Sequence, residues 1–260
     1  MTILEAREID FRYEAHRPTI TAASVDIQAG SMTALIGSNG CGKSTLIRLL
    51  AGLLLPQKGS VRYCGNSFAS YDRRELARKL AYVPQTTSRA FPFTSLEVVL
   101  TGRTPHTSPF RLENRDDVRQ AMEALETVGV RHLANRRITE LSGGERQLVS
   151  VARALAQEPD CVLLDEPASS LDLKHRAGLI RTLTELRKRT GLTVVMVTHD
   201  LMLLDPGFDW VFAMRCGSIA ASGPPANVIR DGILADIYDD PYIHARRVEG
   251  QLCVWSEVHP

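Results

Sequence analysis

Two hydrophobic periods alternate along this chain. Continuous apolar runs at 32–36, 80–83, 161–165 and 193–197 predict strands buried on both faces, the pattern of a parallel sheet. Apolar residues at helical spacing predict helices over 43–52, 73–79, 114–128, 145–156 and 174–189. In these, Val118, Met122, Leu125 and Val128 form one stripe, Leu148, Val149, Ala152 and Leu155 a second, and Leu179, Leu183 and Leu186 a third. Strands near 3–10 and 22–28 read as an antiparallel edge layer. Weaker strands near 210–214 and 218–221 meet at a turn on Gly217. The fold class is therefore α/β, with a mostly helical stretch from 86 to 158 inserted between two sheet strands. Pro105, Pro109 and the short polar residues around them predict a loop near 103–113.

Composition narrows the classes. A chain of 260 residues with 44 % hydrophobic content buries a sizeable core. The formal net charge of +1 implies no polyanion, so no nucleic-acid partner is expected, and Arg73-Arg74 and Arg246-Arg247 read as solvated surface. Five scattered cysteines without a CxxC pair argue for reduced thiols and against a disulfide frame or zinc site. The N-terminus shows no secretory pattern, and no apolar run approaches the roughly 20 residues needed to span a bilayer.

Three short segments carry chemistry. Gly37-Ser38-Asn39-Gly40-Cys41-Gly42-Lys43-Ser44-Thr45 follows the first buried strand. Its glycines let the backbone curl with N–H groups inward, where they cradle a triphosphate with help from the positive end of the next helix. Lys43 reaches the β- and γ-phosphates, and the Ser44 hydroxyl is a ligand for Mg²⁺. The second segment, Val162-Leu163-Leu164-Asp165-Glu166, is a buried strand ending in two carboxylates. Alternation along the strand separates their roles: Asp165 for Mg²⁺, Glu166 to polarise a water aimed at the γ-phosphate. In the third, Leu141-Ser142-Gly143-Gly144-Glu145-Arg146-Gln147, Ser142 and Glu145 form a capping box. Two consecutive glycines exceed what a cap requires, and they leave an open anion site at the helix start.

Together these segments resemble the ATP-binding subunit of an ABC transporter, over residues 3–240. The resemblance implies a P-loop NTPase core with parallel sheet, antiparallel β edge layer around the adenine and inserted helical subdomain. It implies one domain over 1–260: a nucleotide-binding core from 1–85 and 159–240, the helical subdomain at 86–158 and a tail at 241–260 without a readable motif. Gln85 resembles the family's Q-loop glutamine, which ligates Mg²⁺ and senses the membrane subunit. Asp172, in Ser170-Leu171-Asp172, resembles the D-loop, and His199 the switch histidine that holds the γ-phosphate. Tyr13 resembles the aromatic that stacks on adenine. The family's signature residues Ser142, Gly143, Gly144, Glu145 and Gln147 contact ATP held by a second copy, so the expected partner is a second chain in a head-to-tail dimer. The other expected partners are a polytopic membrane permease and, indirectly, a periplasmic binding protein. The expected place is the cytoplasmic face of the bacterial inner membrane.

Two further points concern specificity. Cys41 stands where the family often has Ser or Ala, and a thiol beside Lys43 is expected to have a lowered pKa. Gly102-Arg103-Thr104-Pro105-His106 resembles a segment of ATPases that serve iron–siderophore, haem and cobalamin importers. Iron–siderophore import is the favoured reading, with haem, cobalamin and molybdate importers behind it. A stand-alone ABC ATPase of iron–sulfur cluster assembly is the nearest rival. A DNA-repair ATPase would need a long coiled-coil insert, and a regulatory GTPase usually carries an Asn-Lys-x-Asp motif that this chain lacks.

Overall fold

The computed structural model describes residues 1–14, 19–86, 92–107, 114–204, 207–249 and 251–257. Residues 108–113 of the expected 103–113 loop lie outside these. The elements run β1 (Thr2–Phe11), β2 (Ile20–Gln28), β3 (Met32–Gly37), α1 (Lys43–Leu50), β4 (Lys58–Tyr63), β5 (Asn66–Ser67), α2 (Arg73–Lys79) and β6 (Leu80–Val83). They continue with α3 (Ser95–Leu100), α4 (Arg115–Thr127), α5 (Gly143–Ala156), β7 (Cys161–Asp165), α6 (Leu173–Thr190), β8 (Thr193–Val197), β9 (Trp210–Arg215) and β10 (Ser218–Gly223). Last come α7 (Pro225–Val228), α8 (Asp231–Tyr238), β11 (Ile243–Val248) and β12 (Gln251–Ser256). Chain contacts group these into two compact units, one from 1–70 and 193–260, the other from 71–192. The sequence had suggested boundaries at 85/86 and 158/159.

In the first unit, β3 is the central strand, parallel to β8 on one side and β9 on the other, with β10 antiparallel beyond β9. All residues of β3 and β8 are buried, as their unbroken apolar runs require. The edge layer is β2-β1-β4-β5, antiparallel throughout. A bulge in β1 at Glu8 (φ 44°) lets β4 close on it, and a Cβ at Gly59 would lie 2.2 Å from the Arg7 carbonyl oxygen. The sequence reading missed β4 and β5, because β4 buries only Val61 and Tyr63 and β5 is two exposed residues long. It also left the tail without structure. Ile243–Val248 and Gln251–Ser256 instead pair as a hairpin that exposes Arg246, Arg247 and Val248.

In the second unit, β6 and β7 pair in parallel, with Val83 opposite Leu164. Four of its helices begin on a capping box. Asp72, Thr94, Asn114 and Ser142 each accept the N3 amide of α2, α3, α4 and α5, and each N3 carboxylate returns the bond. Gly191 (φ 74°) ends α6 after the basic turn Arg187-Lys188-Arg189.

One helix face differs from expectation. Val118, placed in the apolar stripe of α4, is 38 % exposed, and the buried face holds Asp117, Ala121, Ala124 and Leu125. The reason is electrostatic. Arg103 is buried, and its Nε donates to Asp117 at 3.2 Å while Nη1 donates to the Ala156 carbonyl at 2.7 Å and to Glu158 at 2.6 Å. A buried guanidinium needs such acceptors, and Asp117 turns the helix to supply one.

The same segment binds its neighbours through its backbone. The Pro105 carbonyl accepts from Arg74 Nε at 2.8 Å and Arg78 Nε at 2.7 Å, and His106 Nε2 lies 2.8 Å from the Gln157 carbonyl. Gly102 is buried against α5, and a Cβ there would lie 2.2 Å from the Arg153 carbonyl oxygen. Replacing Gly102 by Ala should therefore lower stability by about 1–3 kcal/mol through overpacking. Denaturant unfolding checks this, and a midpoint unchanged from the parent would show that the contact yields freely.

Candidate functional site

The loop after β3 is built from glycines with left-handed backbone. Gly37 has φ 144°, Gly40 φ 76° and Gly42 φ 110°. At Gly37 space decides as much as φ: a Cβ would lie 2.3 Å from the Met214 carbonyl oxygen of β9. At Gly42, which caps α1 without a side-chain bond, it would lie 2.8 Å from the Thr19 carbonyl. A helix start capped only by glycine leaves its first amides for a ligand. Asn39 and Gly40 are exposed, Ser38 and Ser44 half-buried, and Cys41 and Thr45 buried.

Lys43 is 5 % exposed, and its ammonium donates to the carbonyls of Gly37 at 2.9 Å and Ser38 at 2.8 Å. The charge is thus folded onto the loop it would serve. Cys41 runs opposite to expectation. Burial pushes its thiol above the ordinary range, and the nearby Lys43 ammonium only partly offsets that. The thiol is a packing group facing Gly37, since its Sγ would lie 2.9 Å from a Cβ there.

Two other expected residues share this unit. Tyr13 is 57 % exposed, stands edge-on to Phe11 with ring centres 4.9 Å apart, and its hydroxyl lies 3.5 Å from Thr45 Oγ1. Phe11 is buried, so Tyr13 alone of the two offers an open ring. His199 is exposed and follows β8. Because Leu35 pairs with Val197 and the Thr198 amide donates to the Leu35 carbonyl at 3.2 Å, His199 emerges beside the end of β3.

The second unit carries the carboxylates and the signature. Asp165 ends β7 with 0 % exposure and accepts from the Tyr82 hydroxyl at 3.2 Å. Glu166 lies past the strand with φ 50°. The two acids part through this left-handed turn, and not by the strand alternation the sequence suggested. The Ser169 amide and hydroxyl return to the Glu166 carbonyl at 3.2 and 3.0 Å and close the turn. Pairing of β6 with β7 brings Gln85 to the same end, where its Nε2 donates to Glu166 Oε2 at 2.7 Å.

Ser142 caps α5. Its hydroxyl accepts from the Glu145 amide at 3.2 Å, and its own amide donates to Glu145 Oε2 at 2.7 Å. Those bonds hold the Glu145 carboxyl below its usual range. Ser142 and Gly143 remain exposed. Gly144 is needed for close approach: a Cβ would lie 3.1 Å from both the Ser170 carbonyl and the Leu171 side chain. Gln147, expected to face a partner's nucleotide, is 3 % exposed and donates to the Pro84 carbonyl at 3.4 Å. It ties the signature helix to the Gln85 turn of its own chain. Asp172 caps α6, accepting from the His175 amide and lying 2.8 Å from His175 Nδ1, contacts that depress its pKa.

Residues 20–169 match the protein family described as ABC transporter. The chain is 41 % identical to the hemin import ATP-binding protein HmuV of Streptomyces coelicolor, over 86 % of this chain and 79 % of the relative. It is 36 % identical to the ferric enterobactin transport ATP-binding protein FepC of Escherichia coli, over 84 % of this chain and 83 % of the relative. Among solved structures, a chain described as a metal-chelate type ABC transporter in an inward-facing conformation superposes with a TM-score of 0.83 at 30 % identity, covering 98 % of this chain and 96 % of that one. A dimeric bacterial ABC transporter cassette superposes with a TM-score of 0.77 at 25 % identity, covering 86 % of this chain and 99 % of the other.

The thiol geometry sets a testable order. At pH 7–8 exposed Cys216 should be alkylated well before buried Cys41, whose raised pKa keeps it neutral there. Peptide mass spectrometry after brief iodoacetamide treatment reads this directly, and equal labelling would contradict it.

Proposed function

The chain belongs to the ABC transporter family as an ATP-binding, ATP-hydrolysing subunit, and from that premise we propose that it powers import of an iron complex, a ferric siderophore or haem, through a separate permease. The observation that carries the cargo class is the likeness, over more than four-fifths of the chain, to ATPases named for hemin and ferric enterobactin import. Gly102–His106 supports the same class only as a shared fold element, because Arg103 turns inward onto Asp117, Ala156 and Glu158. Among the described residues no helix is long and apolar enough to cross a membrane, which suits a subunit that docks on a permease. The proposed place is the cytoplasmic face of the inner membrane, with a periplasmic binding protein delivering cargo.

In this reading the loop amides and Lys43 bind the phosphates. Lys43 exchanges two neutral carbonyl acceptors for phosphate oxygens, a stronger charge-assisted bond. Tyr13 offers its open face to adenine. The Ser44 hydroxyl on the first unit, and the buried Asp165 carboxylate and Gln85 carboxamide on the second, are each hard oxygen donors of the kind Mg²⁺ takes. When bound, the ion neutralises charge on the transferred phosphoryl group. Glu166 accepts the proton of the attacking water, with Gln85 holding the carboxylate in place at 2.7 Å. His199 donates to the γ-phosphate. Ser142, Gly143 and Gly144 meet the terminal phosphate held by a second copy, so ATP closes a head-to-tail dimer and hydrolysis opens it. Asp172 acts from the same face.

Glu166→Gln should keep nucleotide binding and lose turnover by roughly 10²-fold or more. Phosphate release and nucleotide titration separate the two, and turnover near wild type would remove Glu166 from the role of base. The cargo is tested by purifying the chain with its membrane partner and measuring which compound, presented with the binding protein, stimulates hydrolysis. Stimulation by ferric siderophore or haem is expected. Copurification with soluble scaffold proteins alone would favour iron–sulfur cluster assembly instead.

A further inference from the structure

After β10 the chain brings Tyr238 to the root of the phosphate loop. Tyr238 ends α8, which packs on β9. Arg215, at the end of β9, anchors that helix by pairing with Asp236 and with Asp239, the latter at 3.5 Å. On the other side, Asp231 at the start of α8 holds the C-terminal hairpin: the Ala245 amide donates to it at 2.7 Å, and His244 Nδ1 lies 3.1 Å away.

So fixed, the Tyr238 hydroxyl is fully buried and completes no hydrogen bond. Its polar surroundings are the Gly37 amide and the Cys41 thiol. Burial pushes the phenol up to about 12, with the Gly37 amide pulling the other way, while the hydroxyl meets no partner at hydrogen-bond geometry among the described residues. A buried hydroxyl without a partner is a cost the fold normally avoids. Phenylalanine would fill the same space without that cost, so the oxygen needs a reason.

We propose that Tyr238 is a positioning residue for nucleotide binding: its hydroxyl is held behind the loop so that the Gly37 amide closes onto it when phosphates draw the loop into its bound shape. The hydrogen bond absent from the free protein is then gained in the complex, where it contributes to affinity. The loop cannot find the same support from side chains of its own, because Gly37 has no room for a Cβ against Met214. The C-terminal segment, from α8 through the hairpin, thereby belongs to the nucleotide-binding machinery. This inference rests on 37–45 being the phosphate loop.

Tyr238→Phe in the full chain tests it. A purely structural hydroxyl without a partner predicts unchanged or higher Tm and unchanged ATP affinity. The proposal predicts unchanged or higher Tm together with an ATP Kd about five-fold weaker, the value of one hydrogen bond of about 1 kcal/mol. Isothermal titration of ATP and thermal melts of the free protein give both numbers. Equal Kd in the two proteins would overturn the proposal, as would a Kd loss that merely tracks a fall in Tm. Wild-type protein that failed to titrate with ATP would instead point to the phosphate-loop assignment itself.

Discussion

The nucleotide end of this protein depends on the approach of Gly37 to β9. Parallel pairing places Gly37 opposite Met214, and the Met214 carbonyl occupies the space where any other residue would carry its Cβ. A strand that continued straight would leave its amides in the sheet ladder. The left-handed exit at Gly37, followed by Gly40 and Gly42, frees them and turns them inward. Lys43 then folds back on the carbonyls of Gly37 and Ser38, so the loop holds its own cation. The tolerance for Cys at position 41 follows from the same geometry. The side chain at 41 fills the hollow beside Gly37, and in the proposed reading the backbone does the binding.

In the second unit the corresponding constraint is α5. One end carries Ser142 in its capping box, and the other is gripped at the Ala156 carbonyl and Glu158 by Arg103. Between them Gln147 bonds the Pro84 carbonyl. The helix therefore joins the signature, the Gln85 turn and the Gly102–His106 segment within one packed body. A displacement of that segment would be carried along a rigid element instead of dissipating in loops. That gives a physical route by which a permease contact could bias the signature.

Legibility in the sequence followed signal strength. The buried strands at 32–36, 80–83, 161–165 and 193–197 were readable because both faces are apolar, and the structure places strands there. The capping box at Ser142 and Glu145 was equally plain, because its partners sit three residues apart. What failed were features that only tertiary structure creates. The inward face of α4 is set by a buried ion pair between residues 103 and 117, and periodicity that counts only apolar residues rotates it wrongly. The hairpin at 243–256 hides because its residues alternate around charged positions. Cys41 was misjudged because proximity to Lys43 is visible in sequence and burial is not. Tyr238 gave no local signal at all: nothing near it in sequence indicates that its hydroxyl faces residue 37.

Under the proposed function, affinity and discrimination fall to different groups. In the proposed reading, Lys43 and the loop amides would be satisfied by a nucleotide of either phosphate count, so they would bind without discriminating ATP from ADP strongly. Discrimination requires groups that meet only the terminal phosphate. Ser142 and Gly143 fit that requirement because their capping bonds run within the helix start and leave both residues exposed. Glu166 would suit it too, since its carboxylate is steadied by Gln85 and its backbone by Ser169, so the proposed base is ordered without the nucleotide. Under the proposed cycle the loop contacts would persist, and the contacts that close the dimer would vanish with the phosphate that made them.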